Sequence, residues 1–512
     1  MRAVVDVTVA AGEAGRWTEP WDGLVLERPA GGELAGDGRQ GRLRFEAERG
    51  PFDRYGRTVT VTPAADGRLR VRSEVDFRLA VPYFSPLLAI PVRRALRVPG
   101  APSPWWGPAD RLDRRAASVL ATLCAASVVA GFLGTSITQT ITYAVDDFGI
   151  DGDRAQGTAL AVVRLAMLLS LGLVAAADRR GRRRMIVGCI AAGCALAGLA
   201  AVTPSLALYT AVHTVMRGFS TALAILVAVV AAEEMPAGAR AFAASVLGMS
   251  GALGAGICVM ALPLADLGES GWRLIFLLPL LALPAVPGLA RRLPESRRFV
   301  APHGRARFAG HGRRLALLAT STFLVQIFLA PASQLQNEFL RDERGYSAFG
   351  ITLFSICTNT PAGIGVLVGA RVADQRGRRL VGALALVGGV VGTVTVYLTT
   401  GTTMWVASLV GGIVAGATIP ALGVYGPELF PTALRARANG VLGVTGVLGA
   451  AAGLLAAGAL SDGLGSLGRA MAVLAVGPVA LAVLVVTRYP ETAGLELEEL
   501  NPEDATAPVP PT

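Results

Sequence analysis

Lysine is absent from the 512 residues, so all 47 basic residues are arginine, and histidine occurs only three times. The missing lysine reads as the mark of a GC-rich genome. His213, His303 and His311 have no metal-ligand spacing, no P-loop glycine pattern occurs, and no nucleophile sits beside an evident base. Neither an enzyme nor a bound cofactor or metal is therefore expected. The five cysteines, Cys124, Cys189, Cys194, Cys258 and Cys357, are odd in number and fall inside apolar stretches, which argues against a disulfide framework and a metal site alike. An unbroken apolar leader is also missing, because Asp6 and Glu13 interrupt the opening MRAVVDVTVAAGEAG. The start is expected to be mature sequence lying inside the cell.

What is abundant is apolar. Hydrophobic residues make up 53% of the chain, charged residues only 16%, and there are 62 glycines, which let spanning helices approach closely. Stretches of roughly 20 apolar residues predict spans near 116–143, 155–177, 185–203, 205–232, 240–264 and 272–290, then 314–338, 346–372, 380–400, 402–427, 438–460 and 467–487. Only helices fit, because a backbone in lipid must satisfy its own hydrogen bonds and these runs are too long for barrel strands. The expected fold is an all-α polytopic membrane protein with twelve transmembrane helices in two six-helix repeats.

The formal charge of +10 is better explained by membrane orientation than by nucleic acid. Arginines crowd the loops at 178–184, 291–314, 371–379 and 435–437, whereas the alternate loops are short and acidic, as at Asp146, Asp147 and Asp151. Both termini are then cytoplasmic, in a multi-pass protein of the cell membrane.

Ahead of the spans, VVDVTV, RLRFEAE, RTVTVT and RLRVRSEVDF alternate between Gly, Pro and Asp turns. They predict a small β-rich or α+β cytoplasmic domain over 1–80. Residues 81–114 are broken by Pro82, Pro86 and Pro91, end in Arg93, Arg94 and Arg97, and include Trp105 and Trp106. That pattern suits an interfacial linker. The remaining boundaries are a first bundle at 115–290, a central cytoplasmic loop at 291–313, a second bundle at 314–497 and a disordered tail at 498–512, rich in Pro, Ala and acid.

Three motifs recur in one order at nearly constant spacing. Asp178 to Arg184, DRRGRRR, returns as DQRGRRL from Asp374; EEMPAGAR, with Glu233, Pro236 and Arg240, returns as ELFPTALR, with Glu428, Pro431 and Arg435; and Pro294-Glu295-Ser296 returns as Pro490-Glu491-Thr492. This set resembles the major facilitator superfamily of solute transporters, and within it the sugar porter branch, over roughly residues 115 to 497. The departures are Val174 and Ala370 where a glycine is usual, IFLAPAS after Gln326 in place of QQ-x-x-G-x-N, and no G-Y-D in span 1.

The resemblance implies secondary transport by alternating access, with the motifs as a gate on the inner side. It places Asp178 near the start of span 11 and Asp374 near the start of span 5, where a helix dipole favours a carboxylate. Glu233 and Glu428 are expected to pair with Arg182, Arg183, Arg378 and Arg379, while Gly181 and Gly377 permit the sharp turn. Arg240 and Arg435 complete the gating set. The alternative is that these arginines only set topology.

Polar residues inside spans are costly and mark either a pathway or a helix contact. Gln139, Arg164, His213, Arg217, Gln326, Gln334, Asn359 and Tyr425 are the candidates for the substrate pathway. Arg217 and Arg164 lie deep with no carboxylate near the middle of any span, so either they meet an anionic solute or they bond neighbouring backbone carbonyls. His213, one turn from Arg217, is a candidate carrier of a coupling proton.

The expected partners are a small-molecule solute, a proton as candidate coupling ion, and the lipid bilayer, with no nucleic acid and a monomeric chain. The expected function is secondary transport of a small polar organic solute, a sugar or an organic anion. The alternatives are a proton-driven drug efflux antiporter, whose usual G-P-x-x-G-G turn span 5 lacks, and a membrane solute sensor without net flux.

Overall fold

The computed structural model describes residues 1–492 except 36–39, 105–106, 109, 151–152, 237–238, 294, 296–309 and 424. Trp105, Trp106, Asp151, Ser296, most of the central loop and the acidic tail lie outside the described residues. So do the side chains of Asp178, Asp374 and Arg435.

Twelve helical segments are long and apolar enough to cross a membrane, as the sequence predicts. Spans 1 to 6 are Arg114–Asp147, Arg154–Ala177, Arg182–Ala200, Leu206–Glu234, Phe242–Leu267 and Gly271–Arg292. Spans 7 to 12 are Gly312–Gln334, Ala348–Ala373, Arg378–Leu398, Gly401–Leu422, Arg437–Leu464 and Leu467–Arg488. The chain is a multi-pass membrane protein.

Local chemistry sets where the helices start. Asp113 caps span 1 by accepting from Ala116 N at 2.6 Å, and Ser205 caps span 4 through Leu208 N. Two ends differ from expectation. Span 7 loses regular winding at Leu335, one turn beyond Pro331, which has no N–H to give, and a π turn follows at Phe339–Glu343. Span 10 stops at Leu422, and a short helix, Tyr425–Glu428, leads into the loop.

The duplication seen in the motifs extends to packing. Span 1 meets span 5 through Gly131 and Gly254, and span 7 meets span 11 through Gly449 and Gly453. At Gly254 a Cβ would sit 1.9 Å from Val128 O, and at Gly453 one would sit 2.2 Å from Ile327 O. Only glycine allows this backbone-to-backbone approach, where dispersion does the work that water does elsewhere. Spans 2 and 8 also break at matching places, at Ala166 and at Thr360-Pro361.

The small antiparallel sheet comprises β1 (Arg2–Val9), β2 (Leu26–Leu34), β3 (Gly41–Arg49), β4 (Phe52–Pro63) and β5 (Leu69–Leu79), in the order β1-β5-β4-β3-β2. Along β5 burial alternates residue by residue, with Leu69, Val71, Val75, Phe77 and Leu79 inward. The sequence pattern had marked four strands. β2 is the fifth, hidden by Pro29, Gly31 and Gly32, which suit an edge strand with register shifts. The sheet core is closed by Trp17, in a short helix α1 (Gly15–Thr18), by Trp21, by Val92 of helix α2 (Ser85–Ala95) and by Leu96, which caps its end.

Inside this core lies an ion pair with no exposed side-chain surface, Arg57 with Glu27 at 2.6 Å. Arg57 also donates to Trp17 O and to Glu19 O, and its guanidinium stacks 4.0 Å from the Trp21 ring and 4.2 Å from Phe45. Glu27 accepts from Tyr55 Oη and Trp21 N as well. The pair's hydrogen-bonding capacity is thus largely filled, which burial of charge requires.

Candidate functional site

At the arginine-rich end, the two halves carry the same clamp. Gly181 (φ 92°) turns the chain between spans 2 and 3, and Gly377 (φ 94°) does so between spans 8 and 9. Each turn opens a helix whose first N–H groups lack intrahelical partners. Glu295 accepts from Arg182 N at 2.7 Å and Arg183 N at 3.3 Å, and Glu491 accepts from Arg378 N at 2.9 Å and Arg379 N at 3.2 Å. A carboxylate at a helix N-terminus satisfies these donors and the dipole together.

The arginine side chains then reach the second motif. Arg182 pairs with Glu233, and Arg378 Nη1 with Glu428 at 2.5 Å. Arg378 also donates to Thr492 Oγ1, while Arg183 Nε bonds Ala290 O at 2.9 Å and Arg379 Nη1 bonds Tyr489 O at 3.4 Å. Tyr425 joins this cluster, donating to Pro490 O at 3.0 Å with its ring 4.8 Å from Tyr489, so it stands with the clamp and away from the other pathway candidates. Arg240 is exposed at the start of its helix. Every contact of the clamp described here stays within one half.

At the opposite end the halves are latched to each other. Arg341, after span 7, pairs with Asp146, at the end of span 1, at 2.7 Å and stacks 4.3 Å over Tyr143. Asp266, at the end of span 5, accepts from Ala348 N and Phe349 N at the start of span 8, and Thr352 Oγ1 donates to Val259 O. The segment of span 2 ahead of its break packs on span 11, where a Cβ on Gly157 would meet Leu454 O at 2.6 Å. Among the described residues, no comparably extensive packing joins the segments of spans 2 and 8 beyond their breaks to the opposite half. Among the described residues, the contacts that join the halves gather at the end away from the arginine-rich loops.

Between the ends, two polar bridges cross the halves. Gln139 of span 1 accepts from Asn337 Nδ2 at 3.0 Å, just beyond span 7. Gln334 of span 7, with its amide oxygen facing the guanidinium, accepts from Arg164 Nη2 at 2.7 Å and Nε at 2.8 Å. Arg164 lies in the last turn of the first segment of span 2, just before the break.

Arg217 donates to Gly134 O of span 1, the backbone contact that was one of its two expected alternatives. Among the described residues, neither Arg164 nor Arg217 has a carboxylate in ion-pair range. His213 is buried in an aromatic box, 4.3 Å from the Tyr209 ring and 5.2 Å from Phe276. Asn359 is exposed at the break in span 8, and Gln326 is half-buried beside Gly446 of span 11. Sequence reasoning named Gln139, Arg164 and Gln334 but missed Asn337 and the latch residues Arg341 and Asp266.

A model of the Major Facilitator Superfamily matches residues 315–511. No curated protein matches the chain. Among solved structures, the inward-open xylose transporter XylE from E. coli superposes with a TM-score of 0.62 at 15% identity, covering 76% of this chain and 99% of that one. A bacterial homolog of the human lysosomal transporter Spinster, inward-facing and unoccupied, gives 0.59 at 16%, covering 77% and 99%. The nucleoside transporter NupG gives 0.57 at 14%, covering 73% and 100%. The duplicated motifs resemble those of the Major Facilitator Superfamily, whose model matches most of the second half of the chain, and the membrane region shares its fold with these transporter structures.

Proposed function

We propose that this protein is a secondary transporter of a small organic anion across the cell membrane, with both termini cytoplasmic, and that the structure represents its inward-facing state. The carrying observation is the arginine pair. Arg164 is held at the boundary between the halves by Gln334, and Arg217, deep in span 4, bonds Gly134 O of span 1. Burying two guanidiniums near the membrane centre without a counter-charge is costly, by about 3 kcal/mol each on insertion scales. A bound anion would offset that cost, and its position at the boundary would let it tip the balance between states. The latched end away from the arginine-rich loops and the inward-facing forms of similar folds support the assigned state.

The test is uptake into proteoliposomes of paired solutes that differ only in a carboxylate. Arg164→Gln and Arg217→Gln should each lower anion uptake about tenfold or more, the effect of losing about 1.4 kcal/mol, with smaller effects on the neutral partner. Equal losses for both solutes would reject the anion reading. One feature favours a sensor instead: the sheet domain is tied to the start of span 1 through Arg111 with Asp22 and Arg114 with Asp53. Binding without net flux would support that reading.

A further inference from the structure

Helix α2 has two faces. Val92 and Leu96 are buried in the sheet core with Leu88 beside them, which fixes the helix about its own axis. The outward face carries Leu87, 70% exposed, and Ile90, 64% exposed, followed on the same side by Arg94 and Arg97, with Arg93 next to them. Three- and four-residue steps align these positions. Two large aliphatic side chains are held out from a core-anchored helix without a partner among the described residues.

The location supplies one. Phe84, immediately ahead of α2, packs against the apolar cluster of the first half, to which Leu289 and Leu293 at the end of span 6 belong. The hydroxyl of Tyr83 lies 3.8 Å from where a Cβ on Gly288 would stand. Gly288 is one turn before Arg291 and Arg292, the basic pair that closes span 6. At about 1.5 Å per residue, α2 therefore begins within a few ångströms of the level where span 6 leaves the hydrocarbon. Apolar side chains at that depth meet lipid, and arginines beside them meet headgroups.

We propose that α2 docks on the bilayer surface at the arginine-rich end, with Leu87 and Ile90 inserted among the acyl chains and Arg93, Arg94 and Arg97 on anionic headgroups. Burial of an aliphatic side chain and attraction of basic residues to an anionic surface act together in such helices. The sheet domain, pinned to the other face of α2, is thereby held against the membrane.

The test uses the full chain in vesicles, with Cys357→Ser to remove the exposed thiol and an environment-sensitive fluorophore on Leu87→Cys. In vesicles of mixed phosphatidylglycerol and phosphatidylcholine, lipid carrying a spin label near the headgroup should quench the probe, and aqueous iodide should not. Quenching by iodide alone would overturn the proposal, as would shielding from both quenchers, which would place the face against protein or a second copy. Changing Arg93, Arg94 and Arg97 together to Gln, or using phosphatidylcholine alone, should reduce the lipid quenching at least about threefold, since each basic residue near an anionic surface contributes roughly a fivefold factor. Unchanged lipid quenching in both would overturn the role of the arginines.

Discussion

Glu491 accepts a hydrogen bond from the backbone N–H of Arg378 at 2.9 Å, closing the turn made by Gly377. The same carboxylate would stand 2.7 Å from a Cβ at Gly377, so cap and glycine exclude any side chain between them. Gly377→Ala should cost about 1 to 3 kcal/mol through its positive φ, and Glu491→Ala about 1 kcal/mol as a lost helix cap. Thermal unfolding of the purified protein should rank the alanine at Gly377 as the more damaging. A Gly377→Ala protein with the wild-type midpoint would count against this account of the turn.

At the outer latch, Arg341→Ala should favour opening at that end. The pair with Asp146 is partly exposed, so its removal should shift the equilibrium by roughly twofold to fivefold, about 0.5 to 1 kcal/mol. Distances between spin labels on the outer ends of spans 1 and 7 would report the change. The charge swap Arg341→Asp with Asp146→Arg should restore the original distribution, and no recovery would mean that another contact holds the end closed.

Neutralising Asp178 should impair transport more than insertion, because the residue recurs as Asp374 within a gating motif whose proposed work is to balance two states. Asp178→Asn is expected to slow transport about tenfold, equivalent to about 1.4 kcal/mol between the states. Transport at the wild-type rate with equal surface expression would remove the aspartate from the gate.

The buried pair in the sheet domain makes a sharper stability prediction. Arg57→Met alone should destabilise that domain by about 3 to 5 kcal/mol, because Glu27 would remain buried without its counter-charge. The double change to Arg57→Met and Glu27→Leu should be less damaging than either single change. Limited proteolysis of the sheet in the full chain would rank them, and simple additivity would contradict the paired account.

Removal of residues 1–80 should leave an inserted, folded bundle, since the spans carry their own apolar content and loop arginines. What is lost is the sheet's packing on Val92 and Leu96, together with the ties from Arg111 and Arg114. Failure to recover folded membrane protein would show that the bundle needs the domain.

The twelve spans were legible because lipid demands long apolar helices, and the duplication was legible because its motifs are charged residues between those helices. β2 was not, since Pro29, Gly31 and Gly32 erase the alternation that marks a strand. The cap formed by Glu295 was hidden for a different reason: Arg182 lies 113 residues before it, and only the fold brings them together. Gln139 and Gln334 stood out as amides in apolar helices. Asn337 did not, because it follows the end of regular winding in a polar stretch where one more amide carries no signal.

The clamp at the arginine-rich end bears on how the polypeptide could be divided. Glu295, the last element of the first clamp, precedes residues 296–309, and the second clamp is assembled wholly from residues beyond them. A chain severed between 296 and 309 would leave each fragment with its own cap, turn and ion pair. Two separately translated polypeptides would then need only the outer latch and the Gln139 and Gln334 bridges to find one another in the membrane.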